Sequence, residues 1–137
     1  MLTLETVLVE VRGGSYERAF SMVSAERADA LFVLSHPNLH QDRKRIIALA
    51  ARYRLPAIYE WRESAEEGGL MAYGANIRDL HRRVATFVDK ILNGAKPAEL
   101  PVEQPTTFEL VVNMKAARAI GFTFPPPVLA QAHHIVE

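Results

Sequence analysis

Cysteine is absent from this sequence, which excludes disulfides, thiolate nucleophiles and Cys-ligated metals. Net charge is absent too, because sixteen basic and sixteen acidic side chains cancel at neutral pH. Without a basic surplus nothing draws the chain to nucleic acid or to an anionic membrane surface, and little repulsion keeps copies apart. No apolar run approaches the ~20 residues needed to cross a bilayer. The opening Met1-Leu2-Thr3-Leu4-Glu5 has no basic start and no unbroken apolar stretch, so a signal peptide is not expected. As written, the chain has no export address and reads as cytoplasmic. Tryptophan is nearly missing, Trp61 being the only one.

What remains is ordinary for a folded protein. Apolar residues make up 49% and charged residues 23%, which argues against disorder. A length of 137 residues suits one compact domain. Thr6–Val11 is β-rich and stops at Arg12-Gly13-Gly14, after which Ser15 is placed to cap a helix with Tyr16, Ala19, Phe20 and Val23 on one face. Ala28–Leu34 is a continuous apolar run and reads as a strand buried on both faces. Leu39–Arg54 carries Ile46, Ile47, Ala50 and Tyr53 on one side and Arg43, Lys44 and Arg45 near the other, which predicts an amphipathic helix.

Pro56–Tyr59 and Leu70–Tyr73 are short strands flanking a helical turn at Glu63–Glu67. Asn76, with Asp79 three residues on, predicts a capped helix whose stripe is Leu80, Val84, Phe87, Val88, Ile91 and Leu92, stopped at Gly94. Pro97, Pro101 and Pro105 keep the next dozen residues extended. Phe108–Val112 reads as a strand and Met114–Ile120 as a short helix closed by Gly121, with Pro125-Pro126-Pro127 stiffening the tail. Strands alternating with helices predict an α/β fold: a three-layer parallel sheet with helices on both faces.

In such a sheet, ligands bind beyond the carboxyl ends of the strands, beside helix N-termini. Three strand ends carry polar or aromatic groups: Ser35-His36-Pro37-Asn38, Tyr59-Glu60-Trp61-Arg62 and Tyr73-Gly74-Ala75-Asn76. The candidate ligand-binding residues are therefore Ser35, His36, Asn38, Tyr59, Trp61, Tyr73, Gly74 and Asn76. An aromatic at such a mouth suits stacking on a flat or apolar ligand, while Ser, Asn and backbone amides suit a carboxylate. Each has a plainer reading: Ser, Asn and Pro cap turns, the tyrosines close the core, and Trp61 covers an edge. Arg12-Gly13-Gly14-Ser15 lacks the spacing of a phosphate loop. His36 with His40, or His133 with His134, lacks clustered partners for a metal, and Asp42-Arg43-Lys44-Arg45 is an exposed charge run. No nucleophile–base arrangement is defensible, so no catalytic residue, cofactor or metal is expected.

One stretch carries a resemblance. Gly68-Gly69-Leu70-Met71-Ala72-Tyr73-Gly74, then Lys90–Ala98, Leu100-Pro101-Val102-Glu103-Gln104-Pro105 and Ala119–Pro127, resembles the C-terminal part of ABC-transporter substrate-binding proteins of the tryptophan/tyrosine-binding-like family. The resemblance implies a Rossmann-like lobe of a periplasmic binding protein, which is non-enzymatic and binds a small solute, amino-acid-like or otherwise small and organic. It also implies a hinged partner lobe, an ABC permease as partner and a periplasmic location. Residues 1–75 would form part of a ligand-binding lobe. Residues 76–137 would supply an inter-lobe helix, a proline-spaced crossover, the last strand and C-terminal helices.

By resemblance the chain begins at the lobe's second strand and lacks the central one, between Thr6–Val11 and Leu31–Leu34. The expectations are then a homo-oligomer completing the sheet, and weak solute binding. The competing expectation is a cytoplasmic flavodoxin-like regulatory or oligomerisation domain without a transported ligand.

Overall fold

A computed structural model of the chain describes residues 4–137 and folds them around one five-stranded sheet. Helix α1 (Tyr16–Ala25) buries the expected face of Tyr16, Ala19, Phe20 and Val23. Ser15 makes no side-chain capping bond, however; the turn before the helix is closed by backbone bonds from the Ser15 and Tyr16 N–H groups to the Arg12 and Gly14 carbonyls. Strand β1 is only Leu31–Phe32, followed by α2 (Pro37–Gln41) and α3 (Arg43–Arg52). The single helix expected from Leu39 to Arg54 is thus two, broken at Asp42, whose carboxylate accepts a 2.7 Å bond from the Tyr16 hydroxyl. Burial first, and then that bond, push the Tyr16 pKa up to about 12.

Strand β2 (Ala57–Tyr59), helix α4 (Arg62–Glu66) and strand β3 (Met71–Ala75) follow in quick succession. The chain then leaves the sheet through α5 (Ile77–Leu92) and a 3₁₀ turn at Pro97–Glu99 before returning as β4 (Phe108–Asn113). It ends with α6 (Met114–Ile120), α7 (Pro126–Ala130) and β5 (His134–Val136). The proline run does not simply stiffen the tail. Pro126 opens α7, where a missing N–H costs nothing, and the three-residue β5 beyond it was too short to read from pattern.

The strand order is β1-β2-β3-β4-β5. All neighbours are parallel except β3 and β4, which run antiparallel from Met71↔Val112 to Ala75↔Phe108. The α/β, largely parallel architecture agrees with the sequence, and the reversal at β4 is the refinement. Strand β4 shows why there are three layers. Val111 belongs to a core with α1, α3 and α4, whereas Leu110 and Val112 belong to a second core with α6 and α7. Its unbroken apolar run is the signature of a strand covered on both sides.

Two expectations fail at the other edge. Thr6–Val11 forms no strand, and Ala28–Leu34 contributes two strand residues rather than a buried run. Among the described residues β1 is the edge of the sheet: Ala28–Leu34 pairs with β2 only at Leu31 and Phe32, and Thr6–Val11 does not pair with that edge. Val9 and Val11 still pack on the core from extended backbone, but Phe32 is 63% exposed.

Helix α5 is the second irregularity. Asn76 caps it as expected, its Oδ1 accepting from the Asp79 N–H at 3.0 Å, and Gly94 (φ 100°) follows its end. Yet the helix has no buried residue; Val84 and Val88 lie open, and Leu92 is 81% exposed. At the root of this excursion the outgoing and returning chain lie side by side. The Asn76 N–H donates to the Thr107 carbonyl at 3.0 Å, and the Tyr73 and Phe108 rings stack at 5.9 Å.

Candidate functional site

The carboxyl ends of β1 and β2 meet α2, α3 and α4 in a crevice of about 10 Å³, room for one water-sized group. Pro37 fixes the first turn of α2. The extended His36 caps that turn, with Nδ1 accepting from the Asn38 N–H at 3.2 Å. One helical turn later comes His40, then Arg43 at the start of α3. From below, β2 delivers Tyr59, whose side chain is held in the core (2% exposed). From the side, Trp61 supplies the residue before α4 and sets its indole edge-on to the His40 ring, 5.5 Å between centroids.

Arg43 is already engaged. It donates to the His40 carbonyl at 3.0 Å and to Glu67 at 2.5 Å, and that guanidinium holds Glu67 below the usual carboxylate range. Burial alone raises the Tyr59 pKa, so its hydroxyl is neutral at physiological pH. Arg62 braces the far side, linking Glu66 (2.6 Å) to Glu109 on β4 (3.2 Å).

Of the residues singled out in the sequence, His36, Tyr59 and Trp61 line this crevice together. Ser35 and Asn38 stand beside it, exposed on the loop and first turn that carry His36. Gly74 touches the same place through its backbone, for a Cβ there would meet the Glu60 carbonyl oxygen at 2.2 Å. Tyr73 does not join them. Ala72 pairs with Tyr59 and shares its core, so Tyr73 points to the opposite face and stacks on Phe108. Asn76 is occupied in capping α5.

Glu60 and Ser64 also line the crevice without having been candidates, as do His40, weighed only with His36 for a metal, and Arg43, read as part of an exposed charge run. A signal for His40 was present: it follows His36, the cap of α2, by four residues, about one helical turn. His133, the other histidine weighed for a metal, accepts from the Leu110 N–H at 3.1 Å. Among the described residues no three His, Asp or Glu side chains gather as metal ligands. The site offers an aromatic wall, hydrogen-bonding groups and the N-termini of short helices, which is equipment for binding. A larger hollow of about 220 Å³, lined by Phe20, Val23, Tyr53 and Leu55, lies at the opposite ends of the strands, where no helix N-terminus points.

The family described as ABC transporter substrate binding protein matches residues 4–136. Among solved structures, a conserved domain protein from Vibrio cholerae O1 biovar El Tor superposes with a TM-score of 0.80 at 26% identity, covering 87% of this chain and 40% of that one. An ABC domain from Streptococcus pneumoniae, solved in complex with L-Trp, gives 0.77 at 26% identity, covering 90% and 42%. A ligand-free, open substrate-binding protein with adhesive properties from Clostridium difficile gives 0.64 at 20% identity, covering 93% and 42%, a likeness of fold. The chain thus spans about two fifths of the length of these solved proteins. No curated protein sequence matches it. Among the described residues no helix is long and apolar enough to cross a membrane.

Proposed function

The chain belongs to the ABC transporter substrate-binding protein family, and from that premise we propose that it forms one wall of a cleft for a small organic solute, without chemistry of its own. The family match along nearly the whole chain carries this reading. The rim at the ends of β1 and β2 supports it, since helix N-termini and an aromatic meet there. Residues 1–75 supply the rim, while 76–137 supply the excursion and the strands that close the sheet. Trp61 is the apolar wall, and Ser35, His36 and Asn38 hold the solute's polar end. Tyr59 and Gly74 support the rim from beneath, with Tyr73 and Asn76 at the neck of the excursion. An ABC permease in the cell envelope is the partner to which such a protein hands its solute.

L-tryptophan is the first solute to test, because a structural relative was solved with it. In an amide NMR titration with L-tryptophan and branched amino acids, shifts are expected to concentrate at residues 33–38 and 60–62. Shifts confined elsewhere, or none at millimolar solute, would sink the proposal. Because one wall alone buries little of a ligand, calorimetry is expected to give affinity weaker than micromolar. Joined to a partner lobe that completes the cleft, Trp61→Ala is expected to weaken binding by about 1–3 kcal/mol.

Self-association accompanies this reading. The open stripe on α5, the bare edge of β1 and zero net charge all favour contact between copies. Light scattering at micromolar concentration is expected to give more than the monomer mass, and a monodisperse monomer would refute it.

A further inference from the structure

Among the described residues three buried side-chain polar atoms have no protein partner, and all three belong to residues lining the crevice below Trp61: His40 Nδ1, Arg43 Nε and the Tyr59 hydroxyl. Such groups are rare in folded proteins, and three on residues around one crevice call for a common explanation. We propose that His40, Arg43 and Tyr59 bind a single ordered water molecule, which ties α2 and α3 to the end of β2 and sets the edge-on His40–Trp61 pair. This goes beyond the solute-binding reading and does not depend on it.

Size, valence and charge each select water. The crevice's 10 Å³ or so holds about one water-sized probe. Arg43 Nε–H donates only, the neutral Tyr59 hydroxyl donates, and His40 Nδ1 accepts in the tautomer protonated at Nε2. One water accepts the first two bonds and donates the third, the usual number for a buried water. A carboxylate oxygen has no proton to give His40. It would also face Glu60 on the crevice wall, while the one nearby guanidinium is already bonded to Glu67. The solute's charged end therefore stays at the outer rim.

The test is a crystal structure of the 137-residue chain to about 1.5 Å, with thermal melts and emission spectra of Tyr59→Phe. A water is expected within about 2.7–3.2 Å of all three atoms. A crevice without water, or with a water reaching only one of them, overturns the proposal. The variant's melting midpoint is expected to fall by about 2–5 °C, since a made hydrogen bond is lost. A rise or no change overturns it as well, because deleting a dry, unpaired hydroxyl relieves a cost. Trp61 is the sole tryptophan, so emission excited at about 295 nm reports on it alone. Its maximum is expected to shift in Tyr59→Phe, and an unchanged spectrum overturns the claim that the water orients Trp61. Neither result bears on solute titrations, so the two ideas fail separately.

Discussion

Asn113→Ala is expected to lower folding stability by about 2 kcal/mol, read as a reduced urea midpoint with an unchanged slope. The residue is 4% exposed and uses both ends of its amide. Nδ2 donates to the Ala65 carbonyl at 2.8 Å, and Oδ1 accepts from the Ala116 N–H at 2.8 Å. One side chain therefore satisfies the end of α4 and caps α6 where β4 finishes. Truncation removes the cap, worth about 1 kcal/mol, and a buried bond worth about 0.5–1.5 kcal/mol to a carbonyl that keeps its other donor, the Gly68 N–H at 3.2 Å. Asn76→Ala is the control. It removes a cap of the same type from a helix with no buried residue, and about 1 kcal/mol or less is expected. Equal losses at the two positions would refute the argument from burial.

Gly74→Ala is the second substitution with a large expected effect, about 2–4 kcal/mol of destabilisation in the same assay. Its backbone φ is not the reason; the space is. A Cβ would sit 2.2 Å from the Glu60 carbonyl oxygen and 3.1 Å from the carbonyl carbon. Both are backbone atoms at the junction of β2 with Trp61, so nothing can rotate aside. Relief requires β2 and β3 to move apart at the rim. An alanine variant that melts within about 1 °C of the parent would show that the rim is more pliant than this geometry allows.

The elements with strong local signals were legible in the sequence. Asn76 with Asp79, the six-residue stripe behind them and Gly94 gave α5 its correct ends. Phe108–Val112 was legible as a strand, and its two-sided cover emerged with the structure. What failed depended on neighbours rather than on the segment itself. Thr6–Val11 has the propensity of a strand, but propensity does not dictate pairing, and among the described residues it stays off the sheet edge that β1 forms. The stripe on α5 says that a face is apolar without saying what covers it, and in this structure the face is open. Strand β5 is fixed by pairing with β4 from Val111↔His134 to Asn113↔Val136, a partnership invisible in three residues.

The candidate site divides the same way. The strand-end pattern singled out His36, Tyr59 and Trp61, which line one crevice. Tyr73 faces the other way, because facing follows from register with β2 and only the paired sheet reveals that. His40 and Arg43 were hidden by their surroundings in sequence. Within a basic run, charge suggests solvent, yet Arg43 turns inward to the His40 carbonyl and to Glu67.

The paired crossing at Asn76 and Thr107 has a mechanical consequence. A body tethered at one point can swivel freely about it, whereas the excursion that carries α5 is tethered at two joined points, which narrows the directions in which it can turn.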